Sequence, residues 1–244
     1  MIQAIGLGLV VFVGAAAQRI TGLGFSLVTS PYLVLLLGPF DGVLVVNACA
    51  VLTAFVVLTQ VWRDVDPRRA ALLIGPALPA VAAGAWMART LPAPPLAVVV
   101  GVLILCALVA VVASERARVL RGTPGAVAAG IGSGFLNATV GAGGPAVALY
   151  AVSSGWAQHR FAATAQLVFG VLGVASLAAK GGRPSMAAAE WATVAAGLTV
   201  GVLTGNRLAG RFSPARGRTA VIALAMAGAA LTVVKGVAAL CGCR

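Results

Sequence analysis

Acidic side chains are nearly missing from this sequence. Asp and Glu number 5 in 244 residues, against 17 Lys and Arg. The five are Asp41, Asp64, Asp66, Glu115 and Glu190, each at the end of an apolar segment or in a loop. A cation carrier or proton pump usually keeps a carboxylate inside its helix bundle, so their absence from the apolar runs argues against both. Histidine occurs once, at His159, and the cysteines are dispersed: Cys49 and Cys106 inside apolar runs, Cys241 and Cys243 at the C-terminus. That inventory offers no metal-ligand cluster and no nucleophile–base pair. No metal, no other cofactor and no enzymatic activity are expected.

What the chain has in abundance is apolar surface. Hydrophobic residues make up 61% and charged residues 9%, with a mean hydropathy of +1.05. Soluble domains carry about a quarter charged residues, so the composition predicts a polytopic membrane protein with the bilayer as its first partner. The formal charge of +12 suggests nucleic acid at first sight. Most of the basic residues, however, sit in short loops between apolar segments, as orientation in a membrane requires, and no nucleic-acid partner is expected. No Lys or Arg precedes the first apolar run, which argues against a cleaved signal peptide.

The apolar runs are organised around two interruptions. The sharper is Gly134-Phe-Leu-Asn-Ala-Thr-Val-Gly-Ala-Gly-Gly-Pro145, and the weaker is Ala17-Gln-Arg-Ile-Thr-Gly-Leu-Gly-Phe-Ser26. The weaker one splits residues 2–37 into arms of about 16 and 14 residues, roughly 24 and 21 Å as helices. Neither arm comfortably crosses a hydrocarbon core of about 30 Å, which predicts a broken or re-entrant hairpin with its tip buried in protein. Three apolar runs follow, 42–62, 70–88 and 96–113, and Pro76 and Pro79 predict a kink or break in the second.

The pattern then repeats: an interrupted stretch over 126–154, followed by runs at 161–179, 187–208 and 219–240. An offset of 119 superposes Gly22-Leu-Gly24 on Gly141-Ala-Gly143 and pairs Gln18 with Asn137 and Asn47 with Gln166, all amides. The expected fold is therefore all-α, in two repeats (1–121 and 122–244) within one membrane domain. Each repeat is a broken hairpin plus three transmembrane helices.

If each hairpin returns to its own side, one face of the membrane collects Arg63, Arg68, Arg69, Arg116, Arg118, Arg121, Arg160, Arg207, Arg211, Arg216 and Arg218. The other keeps Arg89, Lys180, Arg183 and Arg244. Eleven against four marks a cytoplasmic face, puts both termini outside and inverts the second repeat relative to the first.

Arg19 is the sharpest single residue, since an ionised group at that depth usually faces a cavity or a partner. With carboxylates absent, the interior offers an arginine, hydroxyls, amides and half-helix N-termini, a set that favours an anion. Glycines 141, 143 and 144 allow close backbone approach and positive φ, and Pro145 suits a first helical turn. The expected substrate contacts are Gln18, Arg19, Thr21, Gly22, Gly24, Asn47, Asn137, Thr139, Gly141, Gly143, Gly144 and Gln166, with Ser133 as a further donor. Gly197, Gly201 and Gly205 read as a helix-packing face.

The two glycine-rich interruptions, the duplicated layout and the length resemble the TauE/SafE sulfite exporter family of bacterial membrane permeases, over essentially the whole chain. Its members typically carry Gly-x-Gly-Gly-Gly followed by an apolar stretch with proline. Here the second copy reads Gly-Ala-Gly-Gly-Pro and the first only Gly-Leu-Gly-Phe-Ser, with Pro31 five residues on. The resemblance implies a multi-pass protein of the bacterial inner membrane that exports sulfite, sulfoacetate or a related organosulfonate by alternating access. A structural or assembly subunit, or a carrier for a different small anion, is the alternative reading. Small-residue helix faces are compatible with a homodimer.

Overall fold

The computed structural model describes residues 2–21, 25–113, 120–182, 184–208 and 214–242. Among them the regular structure is helical, in ten α-helices: α1 Ile2–Thr21, α2 Phe25–Leu37, α3 Pro39–Val61, α4 Pro67–Thr90, α5 Ala93–Ala113, α6 Gly122–Val140, α7 Gly144–Ser153, α8 Gln158–Lys180, α9 Ala188–Leu208 and α10 Pro214–Leu240. A single 3-10 turn, Trp62–Asp64, joins α3 to α4. Six of the helices carry a stretch long and apolar enough to cross a membrane, and the chain is a multi-pass membrane protein.

The interrupted stretches are less symmetric than the arm lengths suggested. Gln18 and Arg19 do not break the first arm; α1 runs through them to Thr21 and has 20 residues, about 30 Å, so it can span the hydrocarbon by itself. The arm after each interruption is the short one, 13 residues in α2 and 10 in α7, the latter only about 15 Å. Gly22 and Gly24 lie outside the described residues. Of the kink or break expected at Pro76 and Pro79, the break does not occur, because α4 is continuous from Pro67 to Thr90. Prolines are tolerated in membrane helices where neighbouring helices re-satisfy the freed backbone. Here α6 lies against that stretch, with Gly130 on the Leu73 carbonyl and the Pro76 ring.

The chain forms two compact units, with α3 and α5 each divided between them. One comprises Met1–Val46, Pro92–Leu105 and Arg183–Arg244, the other Asn47–Leu91 and Cys106–Gly182. In the first unit α1 packs on α9 through Gly197, Gly201 and Gly205, spaced one turn apart. A Cβ at Gly201 would come within 2.5 Å of the Phe12 carbonyl oxygen, and one at Gly197 would collide with that of Gly8. Lipid gives helices no hydrophobic reason to associate, so this close backbone approach is what small residues contribute. Also in this unit, α2 lies against α10, where Tyr32 donates to the Leu224 carbonyl at 2.8 Å and Thr232 to that of Pro31 at 3.2 Å.

The second unit repeats the same device with other helices. Here α4 packs on α6 and α8. Gly130 and Gly134 of α6 meet the carbonyls of Leu73 and Ala77, and Gly84 of α4 meets that of Phe135 at 3.0 Å. Around this seam lies a buried core of Leu73, Val81, Val147, Tyr150, Val168 and Leu172. Asp66 caps α4 by accepting from the Arg69 amide at 3.1 Å. The other described carboxylates are equally peripheral: Asp41, on the first turn of α3, accepts from Ser185, Glu190 accepts from the Ala187 amide, and Asp64 lies in the 3-10 turn.

Candidate functional site

The break between α6 and α7 is built by three glycines with three different jobs. Gly141 ends α6 in the left-handed region at φ 71°, where a side chain would be strained. Its amide and that of Ala142 turn back onto the carbonyls of Asn137 at 3.0 Å and Leu136 at 3.3 Å. Gly143 has an ordinary φ of −72° but no room: a Cβ there would lie 2.6 Å from Ser133 Oγ and 2.7 Å from the Ser133 carbonyl oxygen. Gly144, by contrast, has space, its nearest neighbour being the Phe169 ring at 3.8 Å. Pro145 then sits in the first turn of α7, where its missing N–H removes no helical bond.

The backbone fold-back at Gly143 is pressed against two polar residues one turn apart on α6, Ser133 and Asn137, which are 0% and 3% exposed. A third comes from α3: Asn47, fully buried, donates through Nδ2 to Ser176 Oγ at 2.9 Å and to the Asn137 carbonyl at 3.3 Å. The accounting is incomplete in a particular way. Asn47 Oδ1, Asn137 Oδ1 and Ser133 Oγ are buried and have no hydrogen-bond partner among the described residues. Buried polar atoms in proteins are almost always paired, and an unpaired one in a water-free interior costs about 1–3 kcal/mol. Three of them beside one helix break is an arrangement suited to a polar ligand. The neighbouring amides at the start of α7 belong to the first turn, which has no internal acceptors.

The other residues expected to contact substrate are distributed as follows. Thr139 is buried on the last turn of α6, but its hydroxyl donates to the Phe135 carbonyl of its own helix at 2.8 Å. Gln166 is half-buried on α8, ten positions before Ser176 and so about 15 Å along the helix from it. Gln18 is half-buried and Arg19 exposed on the last turn of α1, in the first unit; Arg19 presents its Cβ to the close approach with Gly205. Thr21 closes that helix.

Two buried polar residues of α8 carried no sequence signal. Ser176 is an isolated serine in an apolar run, where a serine commonly bonds back to its own helix. Lys180, grouped by sequence with the loop cations, ends α8 at 3% exposure, one turn beyond Ser176 on the same face.

A family model described as Sulfite exporter TauE/SafE matches residues 7–232 of the chain. Curated proteins and solved structures provide no comparable match. The match covers all ten helices in whole or in part, both interruptions included, and the chain belongs to the TauE/SafE family of membrane exporters.

Proposed function

We propose that this TauE/SafE protein exports a small sulfur oxyanion (sulfite, sulfoacetate or a related organosulfonate) across the bacterial inner membrane, using the break between α6 and α7 as its binding site. One observation carries the reading: Asn47, Ser133 and Asn137 have buried oxygens with no partner among the described residues, and Ser133 and Asn137 abut a backbone fold-back at Gly143 that admits no side chain. A purely structural membrane subunit would account for the glycine seams, but not for orphaned oxygens at a helix break.

The chemistry of the set favours an anion that still carries a proton. The first-turn amides of α7 and the Ser133 hydroxyl supply donors, and a helix N-terminus favours negative charge. Asn47 offers its carbonyl end, because its NH2 is committed to Ser176 and the Asn137 carbonyl. A carbonyl oxygen repels a bare dianion and accepts from an O–H group, as hydrogen sulfite presents. Asn137 can offer either end of its amide. Arg19, Gln18 and Gln166 belong to the proposal as further contacts along the path.

Transport would proceed by alternating access, with no catalytic step and no cofactor. An inside-negative potential favours anion exit by about 2.3 kcal/mol per charge per 100 mV. The inverted duplication is part of the same reading: a long helix and a short one (α1–α2, then α6–α7) are each followed by three further helices.

Sulfite binding to the purified protein tests the site. A ligand that binds only the folded form raises the melting temperature as its concentration passes Kd. Sulfite is expected to raise it in the wild type and to lose most of that effect in Ser133→Ala and Asn137→Ala. Equal protection in both variants would remove the α6–α7 break from the binding site.

A further inference from the structure

The first unit carries a feature that sulfite export does not use. A groove of about 200 Å³ opens along α2, α5 and α10, walled by Val34, Leu35, Pro94, Ala97, Gly236 and Ala239. Its floor is closed by a tight approach of α10 to α5, where a Cβ at Gly236 would lie 2.7 Å from the Val98 side chain. Thr232 also lines it, but its hydroxyl is committed to the Pro31 and Gly228 carbonyls. The only charged group on the lining is Lys235.

Among the described residues no carboxylate accompanies it: Asp41, Asp64, Asp66 and Glu190 are all absent from the groove. A cation on a membrane helix with no acid beside it calls for an anionic partner from elsewhere. Its depth fits a particular one. Lys235 precedes the end of α10 by five residues, about 7.5 Å, which puts an extended ammonium at headgroup level. The exposed side chains of Lys235 and Ala239 share one helix face, so charge and apolar wall open in the same direction.

We propose that this groove is a binding site for one anionic phospholipid. The headgroup phosphate pairs with Lys235, and an acyl chain lies against Val34, Leu35 and Ala97. The apolar walls exclude a free oxyanion as the main occupant, because it would leave most of the groove unfilled. They also distinguish the site from simple snorkelling of a lysine to the surface, which needs no groove.

The test is lipid retention by the full-length protein, measured by native mass spectrometry with phosphatidylglycerol and phosphatidylcholine of matched chains. The wild type is expected to retain phosphatidylglycerol about five-fold better, the worth of one basic residue beside an anionic lipid. Lys235→Gln is expected to abolish that preference. Ala97→Leu, which keeps the lysine and fills the groove, is expected to abolish retention of both lipids. Equal retention of the two lipids by the wild type would overturn the proposal. So would a preference unchanged in Lys235→Gln, or retention unchanged in Ala97→Leu. Displacement of the lipid by millimolar sulfite or phosphate at constant ionic strength would assign the lysine to a free anion instead. Sulfite transport does not enter any of these readouts, so failure here leaves the export reading standing.

Discussion

The side-chain amide of Asn47, on α3, donates 3.3 Å to the main-chain carbonyl of Asn137, ninety positions later on α6. That carbonyl already accepts from Gly141, the residue that ends α6. One bond thus ties a membrane-spanning helix to the terminus of the broken one, and it fixes which end of the Asn47 amide remains available. Replacing Asn47 by Ala removes this tie and the bond to Ser176. Stability is expected to fall by about 1–3 kcal/mol, and sulfite flux to fall with it. Asn47→Asp separates the two effects: a carboxylate there is expected to repel the anion and stop flux even in folded protein.

Gly143 and Gly144 are neighbours with opposite expectations. Ala at 143 must displace the Ser133 carbonyl as well as its hydroxyl, and overpacking of this kind costs about 1–3 kcal/mol. Ala at 144 meets only ordinary contact with Phe169, at an unstrained backbone. Gly143→Ala is therefore expected to lower both melting temperature and flux, with Gly144→Ala close to wild type in thermal unfolding. Parallel behaviour of the two would show that the close approach to Ser133 does not control the break.

A similar contrast tests the seam between α4 and α6. Gly134 abuts the Ala77 backbone, whereas a Cβ at Gly132 would meet only the Ala146 methyl at 3.4 Å. Gly134→Ala is expected to destabilise by about 1–3 kcal/mol, since a main-chain carbonyl cannot rotate away. Gly132→Ala is expected to stay within about 1 kcal/mol of wild type, helped by the better helix propensity of Ala. Thermal melts in one detergent would read both.

Arg19 is exposed on α1, so its removal leaves no cavity. Arg19→Ala is expected to reduce anion flux strongly while leaving yield and melting temperature near wild type. Unchanged flux would take Arg19 out of the path.

The helices were legible because lipid leaves a chain so few choices: runs this apolar must be helical, and loops collect the charge. The packing role of Gly197, Gly201 and Gly205 followed from their one-turn spacing. The site was only partly legible. Asn47 and Asn137 were visible as amides in apolar surroundings, and the break as a glycine run before Pro145. Composition could not sort the three glycines, because a need for positive φ at 141 and for bare space at 143 look alike in sequence. Ser176 and buried Lys180 were missed for a related reason: which face of α8 a residue occupies depends on the neighbour it meets. Pro76 and Pro79 do not break α4, since a proline's effect depends on the helix alongside.

The most direct measurement is sulfite flux into proteoliposomes under an imposed potential, comparing wild type with Ser133→Ala and Asn137→Ala at matched incorporation. If the α6–α7 break is the binding site, wild-type flux is saturable and responds to the potential or to a pH gradient, and both variants lose at least about tenfold, the worth of about 1.4 kcal/mol. Saturable flux that survives undiminished in both variants would contradict that placement, and the absence of any sulfur-anion flux in the wild type would contradict the export reading itself.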